Sequence, residues 1–260
     1  MISRREFFDR SGRLALGLGA IRMTDGVLPS CDSAGLLAGS SSESGASALQ
    51  GRELTLGNEA ISATWTIVDA SVRWTKLANR LRNADLPTPS ELFTLIIGGA
   101  GGGGGGGAPP QPMPASAFRI VGDPRVERVG GDSNASRLAE RLPGHTVAAT
   151  LRDPDGRLEV AWRGVLRDGS SYVRQEFSIR ALGADVPLRE IALLDFNSPN
   201  TWASGTVRGS PIVVGGDAYY AFEHPLANNA IDGDRVRCRM SRTLPLRSGT
   251  TLEVSSVVGI

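Results

Sequence analysis

The chain has 260 residues, a formal net charge of +1 and 40% hydrophobic residues, enough for one large domain or two small ones. Arginine supplies all but one of its 28 basic side chains (Lys76 is the exception), and they are scattered. Without a concentrated basic face no nucleic-acid partner is expected. Two cysteines far apart exclude a disulfide scaffold, and with only His145 and His224 neither a metal site nor a cofactor is expected.

At the N-terminus, Ser3-Arg4-Arg5-Glu6-Phe7-Phe8 precedes a short apolar stretch, Leu14 to Ile21. Arg4 and Arg5, with Phe7 and Phe8 one residue on, form the pattern of a twin-arginine export signal, an address that takes no part in the mature fold. The apolar stretch falls short of the roughly 20 residues that a bilayer span requires, and Arg22 and Asp25 close it. Residues 1–30 therefore read as a signal peptide for the twin-arginine translocase, and the expected location is periplasmic or extracellular. Leu28-Pro29-Ser30-Cys31 loosely resembles a lipoprotein cleavage box, but Arg22 and Asp25 interrupt the apolar region such a signal needs and weigh against a lipid on Cys31. Residues 31–52, rich in Ser, Gly and Ala, read as a disordered tether.

Order is expected from Glu53 onward. Leu92 to Ile97 and Phe118 to Val121 read as strands joined by a Gly/Pro-rich loop over 98–114. Its seven consecutive glycines, Gly101 to Gly107, lack the defined spacing, following helix and Lys-Ser or Lys-Thr of a phosphate cradle. Ala135 to Leu142 is the one stretch fit for a short helix. After the Asp153-Pro154-Asp155-Gly156 turn, Leu158, Val160 and Trp162 alternate with polar neighbours. Val173, Phe177 and Ile179 share one parity, which Gln175 interrupts. Ile191 to Phe196 and Ile212 to Val214 read as short buried strands. Val236, Cys238 and Met240 alternate with Arg235, Arg237 and Arg239, the period of a half-buried strand, and Leu252, Val254 and Val258 give a last one. Asp168-Gly169, Gly215-Gly216-Asp217 and Asp232-Gly233-Asp234 punctuate the series as turn formers. Regular strand spacing without a helical period predicts an all-β fold, a large antiparallel β-sandwich over 53–260.

Chemistry concentrates between Asp217 and Asn229. Carboxylates, an imidazole and aromatic rings lie close together there and could hold a sugar by hydrogen bonds and ring stacking. The candidate carbohydrate-binding residues are Trp202, Asp217, Tyr219, Tyr220, Glu223, His224 and Asn228. Glu223 and His224 could supply acid–base chemistry, although neighbours on a strand point to opposite faces. Asp195, Asp217 and Glu223 are candidate members of a carboxylate pair, whose separation decides the matter. Trp65, Trp74, Trp162 and Trp202 could form a sugar platform, though burial is the commoner use of such rings. There is no Gly-x-Ser-x-Gly nucleophile elbow, and no catalytic residue is assigned.

Four motifs in series carry a family resemblance. They are Leu56-Gly57-Asn58-Glu59 with Ala60 to Trp65, Ser171-Tyr172-Val173-Arg174-Gln175-Glu176-Phe177-Ser178-Ile179, Gly205-Thr206-Val207-Arg208-Gly209-Ser210-Pro211, and Phe222-Glu223-His224-Pro225. Together they resemble the N-terminal β-sandwich of bacterial exported α-galactosidase-like glycoside hydrolases, some of which carry the label "enterotoxin". The resemblance covers residues 53–260. It implies a supersandwich similar to galactose mutarotase, followed in the family by a catalytic (β/α)8 barrel that holds the catalytic carboxylates. Here the sequence stops in the apolar run Ser255 to Ile260, so the expectation is a non-catalytic accessory domain, a fragment of a longer enzyme, acting on a galactoside-containing carbohydrate. A free-standing carbohydrate-binding module and a mutarotase-like epimerising enzyme are the alternatives.

Overall fold

The computed structural model describes residues 45–50, 53–98 and 109–260, and these are predominantly strand. Arg4, Arg5, Phe7, Phe8, Cys31 and the glycine run lie outside the described residues. In chain order the strands begin with β1 (Gly45–Gln50), β2 (Glu53–Asn58), β3 (Ile61–Val68), β4 (Ser71–Asn79), β5 (Ala84–Asp85) and β6 (Thr94–Ile97). Next come β7 (Gln111–Pro114), β8 (Arg119–Val129), β9 (Gly144–Arg152), β10 (Leu158–Arg167), β11 (Tyr172–Ala181) and β12 (Leu188–Asn197). The last six are β13 (Thr201–Ala203), β14 (Ile212–Val214), β15 (Ala218–Phe222), β16 (Asn228–Asp232), β17 (Arg235–Ser241) and β18 (Thr251–Gly259).

Three sheets result. β1 to β5 form one in sequence order, β16-β17-β12-β6-β7 a second, and β13-β14-β15-β18-β11-β10-β9-β8 a third of eight strands. Neighbouring strands pair antiparallel, so the fold is the all-β sandwich expected. Two boundaries move. β1 lies inside 31–52, and β7 inside the loop 98–114, where it pairs with β6. A ladder is made by backbone N–H and C=O groups, so composition alone did not forbid either strand. Pro112 and Pro114 are tolerated because β7 is an edge strand. Ala135 to Leu142 yields only a 3₁₀ turn, Leu138–Arg141.

One face of the eight-stranded sheet packs on both smaller sheets. Period-2 alternation places Leu158, Val160 and Trp162 of β10 and Val173, Phe177 and Ile179 of β11 in this core. The Trp65 ring of β3 lies 5.5 Å from Trp74 and 5.2 Å from Trp162, and it presses onto Gly164, where a Cβ would come within 2.9 Å of it. On the other side Phe196 of β12 meets Tyr220 of β15 at 4.7 Å. Gln175 interrupts the apolar parity for a reason: its Oε1 accepts the Trp162 indole N–H at 3.1 Å inside the core. The apolar run at Ser255 to Ile260 belongs mostly to β18, which sits between β15 and β11.

Cys238 of β17 is buried, and burial pushes its thiol from 9.0 up to about 12. The unfolded chain therefore releases this proton at lower pH than the folded one. The contribution of this thiol to stability is present below pH 9 and is lost as pH rises through about 12. Urea midpoints measured from pH 8 upward should show a decline, and Cys238→Ala should make it shallower without removing it, because burial also raises the phenols of Tyr172, Tyr219 and Tyr220; an equal slope in both proteins would contradict the assignment.

Candidate functional site

The opposite face of the eight-stranded sheet is free of any second sheet among the described residues, and it carries a groove of about 930 Å3. Small side chains make its floor: Ala148, Thr150, Ala161 and Ser178 point outward in cross-strand register. The segment 130–143 forms one wall, held by Arg167, whose Nη1 donates to the carbonyls of Gly130 and Leu142 at 2.9 and 3.0 Å. Arg137 and Glu140 of this wall reach over the sheet, and Glu140 lies 3.5 Å from Arg174.

Arg174 is the hub. Its Nε donates to Glu223 Oε2 at 2.6 Å, its Nη1 to Glu176 Oε1 at 2.9 Å and its Nη2 to Ser255 Oγ at 3.0 Å. Glu176 in turn faces Arg163 across the β10–β11 ladder at 3.1 Å, and Arg137 pairs with Glu140 at the same distance. Three guanidinium groups thus alternate with three carboxylates along the groove. Such forks offer paired donors and acceptors to neighbouring hydroxyl groups. The Glu223 carboxylate accepts from Arg174 through Oε2.

Beside the hub lie two half-buried phenols, Tyr172 and Tyr219. Burial raises the pKa of each, and the nearby Glu223 carboxylate adds to the effect. Tyr219 lies across Gly259, where any Cβ would overlap its ring.

The seven candidate residues read from the sequence do not share one site. Tyr219 and Glu223 face the groove side, and Trp202 stands on the same face at the edge strand β13, 49% exposed. Tyr220 points the other way, wholly buried, and its hydroxyl donates to the Pro87 carbonyl at 2.7 Å. Asp217 sits in the β14–β15 turn, 3.5 Å from Arg82. His224 Nδ1 accepts the Leu226 N–H at 3.1 Å, beside the Phe222 ring, and does not line the groove with Glu223. Asn228 lies on β16 in another sheet. Asp195, on β12, is occupied by Arg235 at 2.7 and 2.8 Å, so Asp195, Asp217 and Glu223 form no common cleft. Trp65, Trp74 and Trp162 are core residues. Tyr172, Arg174 and Glu176 enter the sequence analysis only as members of a motif, and Arg137, Glu140 and Arg163 not at all. The outward parity of Tyr172, Arg174 and Glu176 on β11 is the local signal available for three of them, and nothing local announces their partners. No group of three His, Cys, Asp or Glu residues suited to a metal occurs among the described residues.

No family model and no curated protein matches the chain. Among solved structures it is similar to the GH36 alpha-galactosidase AgaB from Geobacillus stearothermophilus, at 11% identity and a TM-score of 0.48, over 82% of this chain and 40% of that one. It is also similar to the galactosidase domain of the alpha-galactosidase-sucrose kinase AgaSK, at 13% identity and a TM-score of 0.46, over 80% and 40%. A third is the alpha-galactosidase from Lactobacillus brevis, at 8% identity and a TM-score of 0.46, over 80% and 39%. The chain spans about 40% of the length of these proteins. Its described residues form sheets and two 3₁₀ turns, with no (β/α)8 barrel among them.

Proposed function

We propose that this chain is a non-catalytic β-sandwich domain of an exported, carbohydrate-active glycoside hydrolase, and that its groove holds saccharide hydroxyls. One observation carries the reading: motif segments distant in sequence meet at the groove. Arg174 of the Ser171–Ile179 motif grips Glu223 of the Phe222–Pro225 motif at 2.6 Å. The other two motifs attach beside these segments, away from the groove itself. Asn58 donates to the Ser170 carbonyl at 2.7 Å, and Asn229 links the Gly209 carbonyl to the Phe222 N–H at 3.0 and 3.1 Å. In this reading the partner is a (β/α)8 barrel carrying the catalytic carboxylates, and the protein leaves the cytoplasm by the twin-arginine route.

A mutarotase-like enzyme is the weaker reading, because Glu223 and His224 do not share a cleft and Glu223 is engaged by Arg174. A single preparation tests the proposal. Protein purified from the exported fraction should bind methyl α-galactoside in a calorimeter, leave aryl α-galactosides unhydrolysed, and disappear from that fraction when Arg4 and Arg5 become Lys. Turnover of the aryl galactoside by this chain would overturn it.

A further inference from the structure

No residue of the wall segment 130–143 is buried, so apolar packing does not anchor it to the sheet. Its shape is maintained from within. The Asp132 N–H donates to the Glu140 carbonyl at 2.9 Å, Arg141 Nε donates to the Ala135 carbonyl at 2.9 Å, and Arg137 pairs with Glu140. The two ends meet at Arg167, whose single Nη1 donates to the carbonyls of Gly130 and Leu142. This is the construction of an Ω-loop, a compact unit joined to the fold through a narrow stem. Beneath it lies a space of about 250 Å3 that shares Arg137, Glu140, Arg163, Arg174, Glu176 and Glu223 with the groove.

Across that space Glu140 lies 3.5 Å from Arg174. Arg174 holds its other partners, Glu223, Glu176 and Ser255, by hydrogen bonds of 2.6, 2.9 and 3.0 Å. The contact with Glu140 is longer than all of these and beyond ordinary hydrogen-bond length. Glu140 is itself nearer to Arg137, at 3.1 Å within the loop. We propose that segment 130–143 is a lid latched over the hub by Glu140 on Arg174, and that a ligand hydroxyl accepting from Arg174 displaces Glu140 and releases the lid. The inference rests on the reading that the groove holds saccharide hydroxyls, and it adds the control of access to them. A partly exposed ion pair shifts an equilibrium only a few-fold. The latch is therefore weak enough for a neutral ligand to displace and for salt to screen. While it is closed, Glu140 competes with the ligand for one donor, and apparent affinity falls with the fraction of open molecules.

The test is hydrogen exchange of the whole chain, read by mass spectrometry, beside calorimetric titration with methyl α-galactoside. Without sugar, added salt should speed exchange over 131–142 about two- to fivefold, the scale of one such ion pair, and leave β9 to β11 unchanged. Glu140→Gln should exchange fast at low salt, respond little to added salt and keep the wild-type melting temperature. It should also bind methyl α-galactoside about two- to fivefold more tightly, because the competitor for Arg174 is gone. In the wild type, the galactoside should speed exchange over 131–142. Slower exchange there on adding sugar, exchange indifferent to both salt and Glu140→Gln, or unchanged or weaker binding by Glu140→Gln would each overturn the latch. If the galactoside binds in that event, the latch alone falls. If it binds neither protein, the saccharide reading falls, and release of the lid by sugar falls with it.

Discussion

Trp65→Ala should lower the unfolding free energy by about 3–5 kcal/mol, the largest loss expected from any single side chain here. Its indole lies between Trp74 and Trp162 and fills the space that Gly164 leaves open, so truncation empties the contact between the first sheet and the eight-stranded sheet. For a domain of this size the melting temperature should fall on the order of 10 °C. Trp65→Phe should cost much less. It keeps most of the ring and deletes an indole N–H that is buried without a partner. Thermal denaturation of the two variants checks the pair, and equal losses would show that the indole edge matters more than the packing.

Arg174→Ala should abolish galactoside binding and lower stability by about 1–3 kcal/mol, below the figure for a fully buried ion pair because the groove admits water. The arginine side chain is only 15% exposed and ties Glu223, Glu176 and Ser255 together, so its loss leaves carboxylates of like charge facing each other. Added salt should screen that repulsion and restore part of the stability without restoring binding. Arg174→Lys keeps the charge but not the fork, and it should recover stability better than affinity. Calorimetric titration and urea denaturation at two salt concentrations separate these effects. Wild-type affinity in Arg174→Ala would remove the groove from consideration.

The candidate site was only partly legible. Tyr219 and Tyr220 look equivalent in a polar, aromatic segment, yet β15 sends one to the open face and the other into the core beside Phe196. The parity Ala218, Tyr220, Phe222 held that information, since the strand alternates regardless of chemistry. Arg174 and Glu223 are different. They are 49 residues apart, and only the strand order β15-β18-β11 brings them together on one face, across β18. Asp195 and Asp217 illustrate the converse: both are carboxylates that the sequence offers beside Glu223, and folding pairs Asp195 with Arg235 and Arg237 and Asp217 with Arg82.

The sequence by itself determined the local periods. Alternation in β10, β11 and β17 is written in consecutive residues, and Asp-Gly and Gly-Gly pairs supply the left-handed backbone that their turns require. It also carried the four motif segments and the paired arginines Arg4 and Arg5, which are linear features. Only the tertiary structure decided which strands are neighbours, which outward faces meet solvent, and therefore which charges and rings share a surface. Register and strand order are set by long-range pairing of backbone groups, whose hydrogen-bonding capacity is the same at nearly every residue. That is why β1 and β7 emerged from segments whose composition reads as loop, and why the groove appears only when the eight strands are laid side by side.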